Sequence, residues 1–363
     1  MSQLYKTKDN VYLNVVINQD QTQGNNPAPA TYKESLTIPI LDDCSKYYCS
    51  IIRFSIPLND IPILIMPILN NQPDPNLTPL IFGIRFAGTN FPVNVVYVSL
   101  EPTLPPTPAP IGPIFFTSSQ LSSTYYWVYT FTNVINMFNT ALNTAMTNAG
   151  LGAIASPFYS FNPVNQLFSL TITPDFFATG AEIFMNNEAS NYLSSFNYKF
   201  YGYNQPQGRE LSHILTPLPS LTTDGTYIFT EDYNTIVLWF SIRKILITTN
   251  DIPIQKESAP RQSLSGMNTG VNSQVPVVAD YVPQLEFSNQ SRSIAYYTPL
   301  GQYKLVDMIS EIPLNKVDFG VYWQDKIGNV HPLLISVGQQ IELKIAFIKK
   351  DMYKNTHNLL TYV

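Results

Sequence analysis

The sequence has few charged residues, and this scarcity argues against several classes of protein. Only 12% of the 363 residues are Asp, Glu, Lys or Arg, about half of the usual share of ~25%. Coiled coils and helical bundles laced with charge are rich in these residues, so neither class fits. The net charge is −5 and no block of lysines and arginines occurs, so we expect no specific binding to nucleic acid.

Signals for secretion, membrane insertion and disulfide bonding are also missing. The opening segment, Met1–Lys8, lacks the apolar core of a signal peptide. The most apolar run, Ile61–Leu69, is interrupted by two prolines and is far shorter than the ~20 residues that span a bilayer. The two cysteines, Cys44 and Cys49, would close only a small loop, and the lack of a signal peptide favours free thiols over a disulfide. We therefore expect a soluble chain without membrane contact.

Apolar and aromatic residues are abundant. Hydrophobic residues make up 45% of the chain, with 23 tyrosines, 21 phenylalanines and 29 prolines. High hydrophobicity with little charge is the reverse of the signature of disorder, so the chain folds. Its surface must be covered by Asn, Gln, Ser, Thr and Tyr. A neutral polar surface of this kind suits a protein whose outside is largely covered by copies of itself.

Alternation of apolar and polar residues predicts β-strands along most of the chain. In the first strand, for example, apolar side chains recur at positions 11, 13, 15 and 17. A hairpin turn is predicted at Ala87–Asn90. The predicted strands are Val11–Asn18, Glu34–Ile40, Tyr47–Ile56, Ile81–Phe86, Phe91–Leu100, Phe158–Phe161, Leu167–Thr173, Ile228–Thr230, Ile236–Thr248, Val275–Val282, Tyr303–Met308, Val317–Gln324, Val330–Val337 and Ile341–Phe347.

Two helices interrupt this pattern. The first is predicted to begin at a cap on Thr132 and to end before Gly150, which occupies the position of a left-handed C-terminal residue. The second is predicted over Glu188–Phe196. The stretch Glu101–Pro113 holds six prolines and predicts a stiff connection, whereas Gln255–Gln274 is polar and predicts a mobile loop. About fourteen strands and two helices predict an all-β fold, one or more jelly-roll β-sandwiches with small helical insertions.

One short sequence occurs twice. Asn59–Ile63 and Asn250–Ile254 both read Asn-Asp-Ile-Pro-Ile, and each follows an apolar strand. Two interpretations are open. The repeat is a coincidence in a chain rich in Ile, Pro and Asn, or it marks two related β-domains or two strands with the same role in one sheet. In the second case Asn-Asp would cap the strand and the proline would end its pairing.

The histidines do not form a catalytic or metal-binding pattern. None of His213, His331 and His357 has a second histidine three or four residues away, so no helical pair of metal ligands exists. His213 is better explained as a hydrogen-bonded structural residue than as a catalytic base. The sequence contains neither a phosphate-binding glycine loop nor a nucleophile elbow.

The acidic residues are equally uninformative about chemistry. Thr223–Thr226 resembles an aspartic-protease motif only superficially and predicts a β-turn. Asp42–Asp43 and Asp74 supply too few carboxylates for a calcium loop, and Glu231–Asp232 predicts a solvated turn. We find no catalytic, cofactor-binding or metal-binding residues and expect no enzyme.

Four stretches carry a resemblance to a known family. They are Tyr32–Asp43, Tyr47–Pro57, Tyr303–Asp307 and Val321–Leu333. These strand-and-turn patterns resemble the minor capsid, or penton, proteins of virophages and polinton-like viruses. They include no catalytic fingerprint.

This resemblance implies a structural role in a virion. It implies a jelly-roll protein that forms homopentamers at the fivefold vertices of an icosahedral capsid, beside capsomers of a double-jelly-roll major capsid protein. The family has no catalytic or cofactor residues to transfer. The protein would be made in the host cell without a signal peptide and would reside in the capsid.

Two alternative functions remain open from composition. The first is a trimeric double-jelly-roll major capsid protein, which the repeated Asn-Asp-Ile-Pro-Ile favours and the modest length disfavours. The second is a carbohydrate-binding β-sandwich or spike domain, in which exposed Tyr and Trp would stack on sugars.

The domain layout also has two versions. The first places an N-terminal jelly-roll-like domain with both helices at 1–203 and a second β-domain at 204–363. The second builds one jelly roll from both termini, with 102–200 as an inserted domain.

Overall fold

The computed structural model describes most of the chain. The described residues are 10–19, 28–58, 61–67, 79–98, 125–202, 208–239, 241–255, 276–283, 294–297, 304–326 and 330–351. The predicted proline-rich stretch Glu101–Pro113, Asp74 and nearly all of the predicted loop Gln255–Gln274 lie outside these residues.

The described residues form 22 strands and three α-helices, so the prediction of about fourteen strands and two helices was too low. The strands of the first half are β1 Asn10–Asn18, β2 Ala28–Pro29, β3 Thr31–Ser35, β4 Tyr47–Pro57, β5 Leu64–Pro67, β6 Ile81–Phe86, β7 Thr89–Asn94, β8 Tyr125–Val128, β9 Phe158–Asn162, β10 Leu167–Ile172 and β11 Glu182–Asn186.

The strands of the second half are β12 Tyr198–Phe200, β13 Glu210–His213, β14 Tyr227–Thr230, β15 Ile242–Thr248, β16 Val277–Tyr281, β17 Ile294–Tyr297, β18 Val306–Asp307, β19 Lys316–Asp325, β20 Val330–Pro332, β21 Leu334–Ile335 and β22 Gln340–Lys349. The helices are α1 Phe131–Asn148, α2 Pro174–Ala178 and α3 Asn187–Tyr192.

The chain divides into two compact units. One contains the described residues up to Ile61 and those from Ile242 onward, so it draws on both ends of the chain. The other contains the described residues between Pro62 and Ser241, and we call it the inserted unit. The predicted domain boundary between residues 203 and 204 lies outside the described residues. Both predicted layouts, the tandem one and the one with 102–200 inserted, stay predictions.

Eight strands of the first unit form a jelly roll. One sheet has the order β1-β22-β4-β17, and the other joins β3, β19, β15 and β16 in that order. Numbered by their appearance along the chain, these eight strands pair as 1-8-3-6 and 2-7-4-5, and every pairing is antiparallel. This is the connectivity of two Greek keys. The prediction of an all-β jelly-roll fold is confirmed, and we call this part the jelly-roll unit.

Alternating side chains fill the core of the jelly-roll unit, as the period-two pattern predicts. In β22 the side chains of Ile341, Leu343, Ile345 and Phe347 are all buried. In β4 the register against β22 shifts at one point. The sequence prediction for β1, β4, β19 and β22 is confirmed to within two residues at each end.

The inserted unit is built around a helix and an aromatic cluster. Helix α1 packs against β6, β7 and β9, and its buried side chains join one continuous apolar core. Trp239 lies at the centre of this core, with its ring stacked on Phe168 at 5.0 Å and further contacts to the rings of Phe138 and Tyr192. The unit therefore depends on side chains from distant parts of the sequence.

The helix ends differ slightly from their prediction. The N-cap of helix α1 lies two residues earlier than predicted. It is Thr130 and not Thr132, because the side chain of Thr130 accepts the backbone N–H of Asn133 at 3.2 Å. Gly150 has a φ of +73°, so the prediction of a left-handed residue after the helix is confirmed. The second predicted helix, Glu188–Phe196, is the shorter α3, and α2 was not predicted.

Several predicted strands were wrong in extent. The predicted strand Glu34–Ile40 is a strand only up to Ser35. Beyond it, Leu36 N–H donates to Asn315 O and Ile40 N–H donates to Leu314 O. Since the two acceptors are adjacent residues, the chain between Leu36 and Ile40 loops out of the ladder. Ile236–Trp239 forms a 3₁₀ turn that precedes β15. Tyr303–Met308 yields only the two-residue β18, and Val330–Val337 divides into β20 and β21.

The predicted hairpin at Ala87–Asn90 is confirmed. Phe86 pairs with Thr89 across the turn, and Ala87 and Gly88 have φ values of +49° and +78°, the signature of a tight hairpin turn. Strands β9 and β10 pair from Asn162 and Leu167 onward.

The repeated Asn-Asp-Ile-Pro-Ile does not place two strands in one sheet. Strands β4 and β15, which precede the two copies, lie in different sheets, so that interpretation was wrong. In the second copy the backbone N–H groups of Asn250 and Asp251 donate to the carboxylate of Asp318 at 2.9 and 2.7 Å. In the first copy Asn59 and Asp60 lie outside the described residues.

Candidate functional site: surfaces of the jelly-roll unit

The histidines occupy structural positions. The ring of His213 is buried, and its Nε2 lies 2.5 Å from the hydroxyl of Tyr159. Burial lowers the pKa of His213 to about 3, so the ring is neutral at physiological pH. The prediction of a hydrogen-bonded structural histidine is confirmed. His331 lies 3.0 Å from Asp325 and stacks on Trp323, and His357 lies outside the described residues.

A cavity in the inserted unit offers little chemistry. It measures about 280 Å³, and His213, Phe196, Pro217 and Phe229 are among its lining residues. No carboxylate, lysine or arginine belongs to the lining within the described part of the chain. Nor do the described residues contain a cluster of three or more His, Cys, Asp or Glu that could hold a metal ion.

The cysteines are buried free thiols, as the sequence predicts. Burial raises the pKa of Cys44 to about 11 and that of Cys49 to about 12. Both side chains are therefore protonated and poorly nucleophilic at neutral pH.

Of the two acidic turns, one prediction is confirmed and one was wrong. Thr223–Thr226 is a turn, in which Gly225 N–H donates to Thr222 O at 3.0 Å. Glu231, predicted in a solvated turn, has an exposed fraction of only 3%. Its carboxylate accepts the N–H of Phe168 at 2.9 Å and the hydroxyl of Thr235 at 2.8 Å. Burial raises the pKa of Glu231 to about 7, although both hydrogen bonds oppose this shift.

A charged network covers the outer face of one sheet of the inserted unit. Arg85 donates to the fully buried Glu210 at 2.6 Å and to Glu182 at 3.2 Å, and its guanidinium lies 3.7 Å from the ring centre of Tyr201. Partial burial opposes ionisation of Glu182, but the Tyr201 hydroxyl and Arg85 hold its pKa below the usual value. Sequence reasoning missed this network, because its members are up to 125 residues apart.

The outer face of the sheet β1-β22-β4-β17 carries exposed apolar side chains. Tyr12, Val16 and Tyr296 are 58%, 47% and 69% exposed. Val16, Glu342, Ser55 and Tyr296 form one row across the four strands. Few charges interrupt this face, so it can approach a like copy without strong repulsion.

A second set of exposed apolar side chains lies on two neighbouring segments of the jelly-roll unit, which are joined by the bond from Ile40 N–H to Leu314 O. We call it the isoleucine surface, and it consists of Ile38, Pro39, Ile309, Ile312 and Pro313, of which the three isoleucines are 79%, 62% and 62% exposed. Large apolar side chains that stay this exposed contribute little to the stability of the folded chain. They suit a contact with a partner, which would remove them from water. The Ile-Pro pairs at 38–39 and 312–313 could have suggested this surface from the sequence. The first pair, however, was placed in the predicted strand Glu34–Ile40.

Backbone hydrogen bonds hold the isoleucine surface in place. Leu314 N–H donates to Leu41 O at 2.8 Å, and Cys44 N–H donates to Ile312 O at 3.3 Å. Ile309 N–H donates to Pro253 O at 2.9 Å. The side chains are thus displayed on an ordered backbone, which lowers the entropy cost of binding a partner.

Comparison with known proteins identifies the family. The family model "Sputnik minor capsid protein V18/19" matches residues 11–349. The chain belongs to this family. The structural protein V19 of Sputnik virophage is 28% identical over 186 residues, which cover 48% of this chain and 84% of that protein. The uncharacterized protein V18 of the same virophage is 33% identical over 156 residues, 42% of this chain and 91% of that protein.

Two solved structures have the same fold. A chain in the cryo-EM structure of the Sputnik virophage superposes with a TM-score of 0.75 at 26% identity, covering 95% of this chain and 99% of that one. The crystal structure of the mavirus penton protein gives a TM-score of 0.66 at 19% identity, over 94% and 99% of the two chains. The resemblance inferred from the sequence is confirmed.

Proposed function

We propose that this minor capsid protein forms homopentamers at the fivefold vertices of an icosahedral capsid. The protein is a structural component of a virion, with a penton or minor capsid role and no enzymatic one, because its relatives are structural capsid proteins. The five-membered ring, its vertex position and its contact with major capsid capsomers go further and belong to the proposal.

The observation that carries the proposal is the pair of different apolar surfaces on the jelly-roll unit. The outer face around Tyr12, Val16 and Tyr296 and the isoleucine surface are formed by different residues. A contact between two different surfaces is head-to-tail, and such contacts close into a ring when the rotation per subunit divides the circle. The number five is taken from the resemblance to penton proteins.

The low charge supports this kind of assembly. Glu342, Lys344 and Arg53 lie on the outer face, but apolar contact would supply most of the stabilisation. Screening by salt acts mainly on ion pairs. We therefore expect that the assembled ring loosens little when salt is added.

Native mass spectrometry of the full-length protein tests the proposal. The expected species has five times the 40.9 kDa mass of one chain and persists from low to moderate salt. A species of three copies would support a trimeric major-capsid role instead. A chain that stays monomeric at high concentration would also end the vertex hypothesis, and glycan-array binding by that monomer would support a sugar-binding spike.

A further inference from the structure

The isoleucine surface lies beside the point where the described chain ends. The side-chain amine of Lys350 donates to the backbone oxygen of Met308 at 3.1 Å and pairs with Asp307. Met308 is the residue directly before Ile309. The last described residue is Asp351. The described chain therefore ends next to the isoleucine surface, with residues 352–363 still to follow in the sequence.

The composition of segment 352–363 matches that surface. The segment begins with a largely polar stretch that includes Lys354–Asn358 and then reads Leu359-Leu360-Thr361-Tyr362-Val363. Four of its last five residues are apolar, and none is charged. Asn10, the first described residue, pairs with Ile348, so residues 1–9 are a second candidate for the occupant. They are a poorer match, because they carry Lys6, Lys8 and Asp9.

We propose that the isoleucine surface of one copy binds segment 352–363 of a neighbouring copy. The inference rests on the proposed assembly and identifies the partner of one of its two surfaces. Leu359 is eight residues beyond Asp351, and an extended stretch of that length spans up to about 26 Å. Such a spacer is longer than needed to cover a surface that begins beside Met308 of the same chain. Its length suits a reach to the next copy.

Exchange of this segment would be a head-to-tail contact. Each copy would offer its isoleucine surface to one neighbour and its segment to the other, which is the geometry that closes into a ring. The apolar side chains would leave water on both sides of the contact. The acidic residues Asp42 and Glu311, which flank the surface in sequence, would favour the single lysine of the segment, Lys354.

Disulfide trapping between two variants that each carry one added cysteine tests this exchange. One full-length chain carries Ile312→Cys and a second, differently tagged chain carries Leu360→Cys. The two are mixed under dissociating conditions, reassembled and oxidised. We expect a covalent heterodimer that contains one chain of each kind. In the matched control, Val164→Cys replaces Ile312→Cys, because Val164 is 80% exposed on the inserted unit. That mixture should form at least tenfold less heterodimer. The native Cys44 and Cys49 are buried.

The outcomes separate this inference from the proposed function. If native mass spectrometry finds the ring but no heterodimer forms, the exchange is wrong and the ring stands. If a chain carrying both Ile312→Cys and Leu360→Cys forms only an internal disulfide, the segment binds its own chain and the exchange is again wrong. If no ring forms at any concentration, the proposed function fails first.

A charged substitution supplies a second measurement. Ile312→Glu places a carboxylate within the isoleucine surface, and we expect it to raise the concentration needed for half-assembly by at least tenfold. Val164→Glu, at a similarly exposed position, should leave that concentration unchanged. Equal assembly of both variants would overturn the exchange, provided that circular dichroism finds both chains folded.

Discussion

The jelly-roll unit and the inserted unit differ in how they accommodate buried carboxylates. In the jelly-roll unit the carboxylate of Asp325 lies beside the imidazole of His331. In the inserted unit Glu210 faces the guanidinium of Arg85, whereas Glu231 accepts only neutral hydrogen bonds. Asp325 therefore lies beside an imidazole, Glu210 beside a guanidinium, and Glu231 beside neutral hydrogen-bond donors. This difference determines how each region should respond to mutation and to pH.

The largest effect is expected when Arg85 is replaced. In Arg85→Met the fully buried Glu210 loses its counter-charge, and breaking a buried ion pair in this way costs about 3–5 kcal/mol. Urea unfolding followed by tryptophan fluorescence measures the loss. We propose that the two compact units are separate domains, in which case only the transition of the inserted unit shifts.

The matched control for Arg85 is Lys199, whose side chain is 60% exposed and pairs with Glu182 at 3.8 Å. Lys199→Met should cost far less than Arg85→Met, because exposed ion pairs contribute little to stability. The double variant Arg85→Met with Glu210→Met should recover most of the loss, because no charge is then left unpaired. Equal losses for Arg85→Met and Lys199→Met would contradict the buried network.

A pH-dependent effect is expected from Glu231. Its pKa rises from the usual 4.5 to about 7 in the folded protein, so the folded state binds a proton more tightly than the unfolded state. The free energy of unfolding should therefore fall as the pH rises from about 4.5 to about 7, by up to about 3 kcal/mol, and then level off.

Glu231→Gln removes this dependence. The amide can still accept the Phe168 N–H through its oxygen, and its NH₂ group can donate to the Thr235 hydroxyl. Thermal unfolding of both proteins at intervals between pH 4.5 and pH 8 measures the difference. Parallel curves for wild type and variant would show that Glu231 does not titrate in this range.

The smallest effect concerns the start of helix α1. Thr130→Ala removes the side-chain oxygen that accepts the Asn133 N–H, and the loss of such a cap costs about 1 kcal/mol. Thr132→Ala is the control, because Thr132 is exposed within the helix and caps nothing. Chemical denaturation compares the two. A larger loss for Thr132→Ala would restore the boundary that the sequence predicted.

Local signals of the sequence were reliable where a short pattern decides the structure. The alternation in β1, β4 and β22 predicted their strands, and Ala87-Gly88 predicted its hairpin, because each depends on neighbouring residues. Pattern alone failed at Ile236–Trp239. There Trp239 is buried among the rings of Phe131, Phe168 and Tyr192, which belong to α1, β10 and α3. This packing outweighs a local sequence that resembles a strand.

The sequence by itself determined the all-β class, the neutral surface and the family, since composition, alternation and strand-and-turn motifs are local properties. Only the tertiary structure decided which strands far apart in the sequence pair with one another, as β1 does with β22. It also decided that Arg85 neutralises Glu210, that Glu231 is buried, and that Ile38 and Ile312 are exposed on neighbouring segments. Each of these features involves at least one contact between residues more than sixty positions apart, which no local pattern encodes.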